Sequence, residues 1–193
     1  EIRRGPMQGG MDDPALLARI RSPVGLLQAQ ADVGRRQSER AVEALKDGDK
    51  GPLLATQVLE PVYEAANDWR KLINVLEVQV QQATDPFQKV ELLHRIARLY
   101  EDALYEHKGA FETYARSLPF DNANEATLQN LERLAMTLTR WPDVAQLYDA
   151  ELDKLSETPD RFVELGLRTA QIYEVQLENV AEAIVRYRRP ARR

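Results

Sequence analysis

The chain has 193 residues, 44% hydrophobic and 30% charged, which is enough apolar material to bury a core in one domain or in a short run of stacked repeats. Cysteine is absent, which excludes disulfides, thiolate metal sites, iron–sulfur clusters and cysteine nucleophiles, and only His94 and His107 can supply imidazole. The formal net charge of -5 counts against a nucleic-acid backbone as the main partner.

Residues 1–13 carry no apolar stretch long enough for a signal peptide and read as a flexible or expression-derived leader. Helices are predicted near 14–21 and 24–46, which would cap or precede a run of repeats. Further helices are predicted near 52–66, 69–82, 87–104, 108–118, 124–139, 142–155, 160–177 and 180–189, with a basic tail at 190–193. The clearest is Val90–Leu104. There Leu92, Leu93, Ile96, Leu99, Tyr100, Ala103 and Leu104 collect on one face, with Glu91, Arg95, Arg98, Glu101 and Asp102 around it. Punctuation agrees with the rhythm. Thr84-Asp85-Pro86 reads as a cap followed by Pro in the first turn, Pro142 follows Trp141, and Thr158-Pro159-Asp160 opens another helix. Pro61 fits worst, because inside a helix it removes a backbone donor, so it should kink the helix or mark its true start. No run approaches the roughly 18 consecutive apolar residues of a membrane span, so the chain reads as soluble.

The chain also repeats itself. At an offset of 72, Leu59, Glu60, Trp69, Leu76 and Val80 meet Leu131, Glu132, Trp141, Tyr148 and Leu152. At an offset of 73, RIARLYEDAL from Arg95 matches RTAQIYEVQL from Arg168, and Ala110 and Tyr114 meet Ala183 and Tyr187. Each unit splits again, since Tyr63, Tyr100, Ala135 and Tyr173 succeed one another at steps of 37, 35 and 38. A period in the middle thirties is the length of two short helices with their turns, which gives four helix pairs at 51–83, 84–119, 120–157 and 158–189.

In the second pair Leu93, Ile96 with small Ala97, Tyr100, then Ala110, Tyr114 and small Ser117 keep an order of large, large-small, aromatic, small, aromatic, small. That order resembles the tetratricopeptide (TPR) repeat, and its style is similar to the degenerate repeats of long bacterial TPR proteins. The resemblance spans Leu53 to Arg189. It departs from the family pattern at Glu60 and Glu132, where a small residue is usual, and near Asn122, where the closing Pro is missing. It implies an all-α fold, an α-solenoid of antiparallel helix pairs wound as a right-handed superhelix. It also implies a non-enzymatic scaffold that binds a protein or peptide on its concave face or at its ends, alone or as a subunit of a larger assembly. By the same resemblance the concave face is lined by Gln57 and Glu64, by Glu91, His94, Arg98, Glu101 and Asp102, by Gln129, Arg133 and Met136, and by Glu164, Leu167, Gln171 and Glu174.

The remaining residues add little chemistry. His94 stands among Glu91, Arg98 and Glu101 without the second imidazole of an H-E-x-x-H site, and His107 reads as a solvated residue at a helix end. No Gly-rich phosphate loop or nucleophile elbow stands out, so neither a metal site nor a cofactor nor catalysis is expected. Trp69 and Trp141 each open the second helix of a unit and are expected to staple the turn to the helix before it. Residues 41–183 hold 14 basic and 26 acidic side chains, while 184–193 hold 5 basic and none acidic. The acidic body favours basic or mixed peptide surfaces. It disfavours one alternative, a nucleic-acid-binding helical repeat similar to the pentatricopeptide family that uses its basic ends; the other alternative is a regulatory segment of a larger protein.

Overall fold

The computed structural model describes residues 34, 36, 51–155 and 158–188. The expected leader, the basic tail and the helices expected at 14–21 and 24–46 lie outside the described residues, apart from Gly34 and Arg36, which are helical. Among the described residues the protein is all-helical and has no strand. Eight α-helices lie within residues 51–188: α1 (Gly51–Ala65), α2 (Trp69–Gln82), α3 (Pro86–Arg98), α4 (His107–Ser117), α5 (Glu125–Leu138), α6 (Trp141–Leu152), α7 (Pro159–Gln171) and α8 (Val180–Tyr187). Their ends agree with the expected ones to within about a turn, except that α3 and α7 stop at Arg98 and Gln171, short of the expected ends at 104 and 177. A boundary between two compact units lies between Ala66 and Asn67, inside the expected first pair 51–83. The first unit contains α1, which begins at Gly51 and contains Pro61, so Pro61 does not mark its start.

In the second unit each helix arises from local chemistry. Asp68 caps α2 by accepting from the Lys71 amide at 3.4 Å, Asp85 caps α3 from Phe87, Asn124 caps α5 from Thr127 at 3.1 Å, and Asn179 caps α8 from Glu182. Pro86 and Pro159 occupy first-turn positions, where no amide donor is needed. The buried faces keep helical spacing: Val90, Leu93, Ile96 and Ala97 on α3; Leu128, Leu131, Leu134 and Ala135 on α5; Phe162, Leu165 and Ala170 on α7. Each helix of this unit packs against its neighbours in the chain. One core runs through these contacts, from Ala97, Ala110, Phe111 and Tyr114 through Leu131, Leu134 and Tyr148 to Phe162, Leu165 and Ile172.

The sequence duplication is also a duplication of backbone. The helices α3 and α7 continue into π-helical turns, Leu99–Ala103 and Ile172–Gln176, at the same offset of 73. Both turns close alike. Leu104 N–H donates to Leu99 C=O at 3.1 Å and Glu106 N–H to Tyr100 C=O at 2.7 Å, and the counterparts are Leu177 to Ile172 at 3.0 Å and Asn179 to Tyr173 at 2.8 Å. The chain then reverses through a left-handed residue, Tyr105 with φ 56 or Glu178 with φ 50. The plainer helix ends carry Asn67 with φ 53 and Thr139 with φ 56, which are 72 residues apart. Around Thr139, the Arg140 N–H reaches the Ala135 C=O at 2.9 Å, the bond pattern of a Schellman end. After the first π turn, α4 approaches closely enough that a Cβ on Gly109 would lie 2.8 Å from the Tyr100 ring.

Candidate functional site

Ten of the twelve polar residues expected on the concave face lie on α3, its π turn, α5, α7 and the π turn after it, and the structure sorts them by environment. Glu91, Arg98, Asp102, Gln129, Glu164, Gln171 and Glu174 are exposed, as is Arg133, whereas His94 and Glu101 are partly buried. Gln57 and Glu64 are exposed on α1, in the first unit. Met136 and Leu167, the two apolar members of the expected face, are exposed at 76% and 48%.

Two expected residues form a fork. Arg133 on α5 donates from Nη1 to Glu101 Oε1 at 2.5 Å and from Nη2 to Oε2 at 2.7 Å, and it also reaches Asn130 Oδ1 at 2.8 Å. The Arg133 hydrogen bonds hold the Glu101 carboxyl below the usual carboxylate range, against the opposing effect of its burial. His94 is placed differently from an ordinary groove residue. Its Nε2 lies 2.7 Å from Thr127 Oγ1, and its ring meets Tyr114 edge-on at 5.2 Å. The Ser117 hydroxyl donates to the Tyr114 carbonyl and the Thr127 hydroxyl points to Asn124 Oδ1, which leaves Nε2 as the donor. Burial and the Arg98 charge lower the His94 pKa, with Asp121 opposing. His94 is therefore a structural tie between α3 and α5.

Sequence reasoning missed Arg168, Glu125 and Glu132. Arg168 on α7 donates from Nη2 to both Glu125 oxygens, at 2.9 and 3.0 Å, and its Nη1 stands 3.5 Å from Glu132. The Arg168 and Gln129 bonds lower the Glu125 pKa, whereas burial raises that of Glu132 against the Arg168 charge and the Tyr148 hydroxyl. A signal was present in the sequence, because Arg98, Arg133 and Arg168 stand 35 residues apart, and the last two reach acids on a preceding element. The other helices carry matching forks. Arg116 on α4 holds Glu77 on α2 at 2.6 and 2.7 Å. Arg186 on α8 holds Asp149 on α6 at 2.6 Å while lying 3.6 Å over the Tyr173 ring. Glu77 and Asp149 are themselves 72 residues apart. These forks tie α2 to α4, the π turn of α3 to α5, α5 to α7 and α6 to α8, in each case a helix to its next but one.

Two open recesses flank this framework. One, of about 750 Å³, is lined by Tyr100, Tyr105, His107, Glu112 and Arg116 among others, and the second, of about 420 Å³, by Glu132, Trp141, Arg168, Gln171, Glu174 and Tyr187. Trp141 is partly buried against the core at the first position of α6, and Trp69 is partly buried at the first position of α2. Among the described residues no three His, Asp or Glu side chains converge as metal ligands would, and no helix is long and apolar enough to cross a membrane. The site and fold together define an all-helical protein with a duplicated helical unit. Compared with protein-family models, with curated proteins and with solved structures, the chain has no significant match.

Proposed function

We propose that the chain is a non-enzymatic scaffold for protein–protein interaction, a TPR-like α-solenoid that presents the polar face of α3, α5 and α7 to a protein or peptide. The observation that carries this reading is the duplication of α2–α4 in α6–α8, together with four forks that each join a helix to its next but one. Like pairs tied in that way favour a stack in which every pair covers the apolar stripe of its predecessor. A partner would meet Glu91, Arg98, Asp102, Gln129, Glu164 and Gln171, side chains exposed on elements that the forks brace. The acid-rich body favours a basic or mixed segment.

Peptides selected by display on the immobilised full chain test the reading. Arg98→Glu combined with Asp102→Arg should weaken a selected peptide about tenfold while circular dichroism stays unchanged. The exchange of Glu101→Arg with Arg133→Glu keeps a fork but inverts its polarity, and it should change which peptides are selected. Binding and selection that ignore both pairs of substitutions would overturn the proposal.

A further inference from the structure

The duplication allows the two halves to be compared side chain by side chain, and a site that is filled in the second half stands open in the first. In the second half the Arg186 guanidinium lies 3.6 Å over the Tyr173 ring, donates to Asp149 Oδ2 at 2.6 Å and also donates to Glu182. The Tyr173 hydroxyl donates to the same Asp149 oxygen at 3.2 Å, so ring, guanidinium and acids form one closed cluster. At offsets of 72 and 73 the first half keeps the acid and the ring, as Glu77 and Tyr100, but it has Thr113 in place of Arg186 and Gly109 in place of Glu182. Glu77 is taken instead by Arg116, from the next turn of α4. Among the described residues no cation lies over the Tyr100 ring. Tyr100, Gly109 and Thr113 line the open recess of about 750 Å³, so the short side chains vacate the space that a guanidinium fills in the duplicate.

The acids of the recess differ in how far they are satisfied. Glu106 is paired with Arg70, whereas the two cations near Glu112, Lys108 and Arg140, stand 3.9 and 3.8 Å from its Oε1, beyond hydrogen-bond distance. The Lys108 side chain is 76% exposed and Arg116 is held in its fork, so neither covers the ring. We infer that this recess binds a guanidinium group, that of an arginine side chain, with the Tyr100 ring as the stacking surface and Glu112 as the acceptor. A guanidinium suits it better than an ammonium, because the planar group stacks on an aromatic face, is less strongly hydrated and offers several N–H donors at once. The recess shares none of the exposed groove residues of α3, α5 and α7, so the inference stands apart from the scaffold reading.

The probe is N-acetyl-arginine amide, titrated into the nitrogen-labelled full chain and followed by heteronuclear NMR, with N-acetyl-lysine amide as the comparison. Saturable shifts of the Gly109, Glu112 and Thr113 amides are expected with the arginine probe, and the lysine probe should bind about fivefold more weakly. Glu112→Gln, a change at an exposed position, should weaken the arginine probe about tenfold. Tyr100→Leu should remove the preference for arginine over lysine. Because Tyr100 packs on Gly109, circular dichroism will show whether that variant folds, and the Glu112 variant together with the lysine comparison reads the site even if it does not. No saturable shift at these amides, an equal response to both probes, or binding indifferent to Glu112→Gln would overturn the inference.

Discussion

His94 illustrates how one side chain changes meaning between sequence and structure. As a residue on an amphipathic helix it could face solvent, but in the fold it donates to Thr127 and packs on Tyr114. Its lowered pKa makes it a source of acid sensitivity. The unfolded chain takes up this proton as the pH falls through about 6.5, before the folded protein does, so the contribution of neutral His94 is complete above that pH and is lost as the pH falls toward the folded value. Urea denaturation at pH 7.5 and 5.5 should therefore show a loss of stability on the acid side that shrinks in His94→Gln, which keeps a donor for Thr127. At pH 7.5 that variant should cost about 1 kcal/mol. An unchanged acid-side loss in the variant would place the proton uptake elsewhere.

The ends of the helices are the more unusual feature at the scale of elements. Non-glycine residues occupy left-handed backbone at Tyr105, Thr139 and Glu178, after α3, α5 and α7 in turn. A left-handed L-residue costs about 1–2 kcal/mol, and a β-branched one is the least suited to it. Thr139→Gly should accordingly raise the thermal midpoint, with a net gain of about 1 kcal/mol once the greater freedom of the unfolded glycine is subtracted. Thr139→Ala, which keeps a Cβ, should show little of that gain. The π turns explain why the helical runs begun by α3 and α7 end differently from α5. Each inserts one extra residue before the reversal and carries an acid, Glu101 accepting from Arg133 and Glu174 accepting from Tyr187.

Across the second unit, packing between helices adjacent in the chain and forks to the next-but-one helix limit how far a local defect spreads. Leu165 on α7 is 3% exposed, and Leu165→Ala should remove about 2–5 kcal/mol. In hydrogen exchange the loss of protection should concentrate in α6–α8 and leave α2–α3 nearly unchanged, as expected where each pair contacts only its neighbours. Equal loss in both halves would show a single cooperative block instead.

The helices themselves were legible without coordinates, because the signals that start and stop a helix act within a turn or two. Asp85 with Pro86, Asn124 before α5 and the apolar rhythm of Val90–Leu104 each carry their own explanation. The duplication was legible for a related reason, since the same packing demands recur at 72 and 73 residues. Which polar residues pair across helices was not. Glu101 and Arg133 are 32 residues apart and Glu125 and Arg168 are 43 apart, and a polar face looks alike whether its charges meet solvent or each other. Nor did the apolar pattern foretell the π turns, since a single inserted residue barely shifts the periodicity while it redirects the chain. Only the packing of α5 onto α3 and α4 decided that His94 is covered and its counterpart Leu167 is not, because burial belongs to the neighbour that covers a side chain and not to the side chain itself.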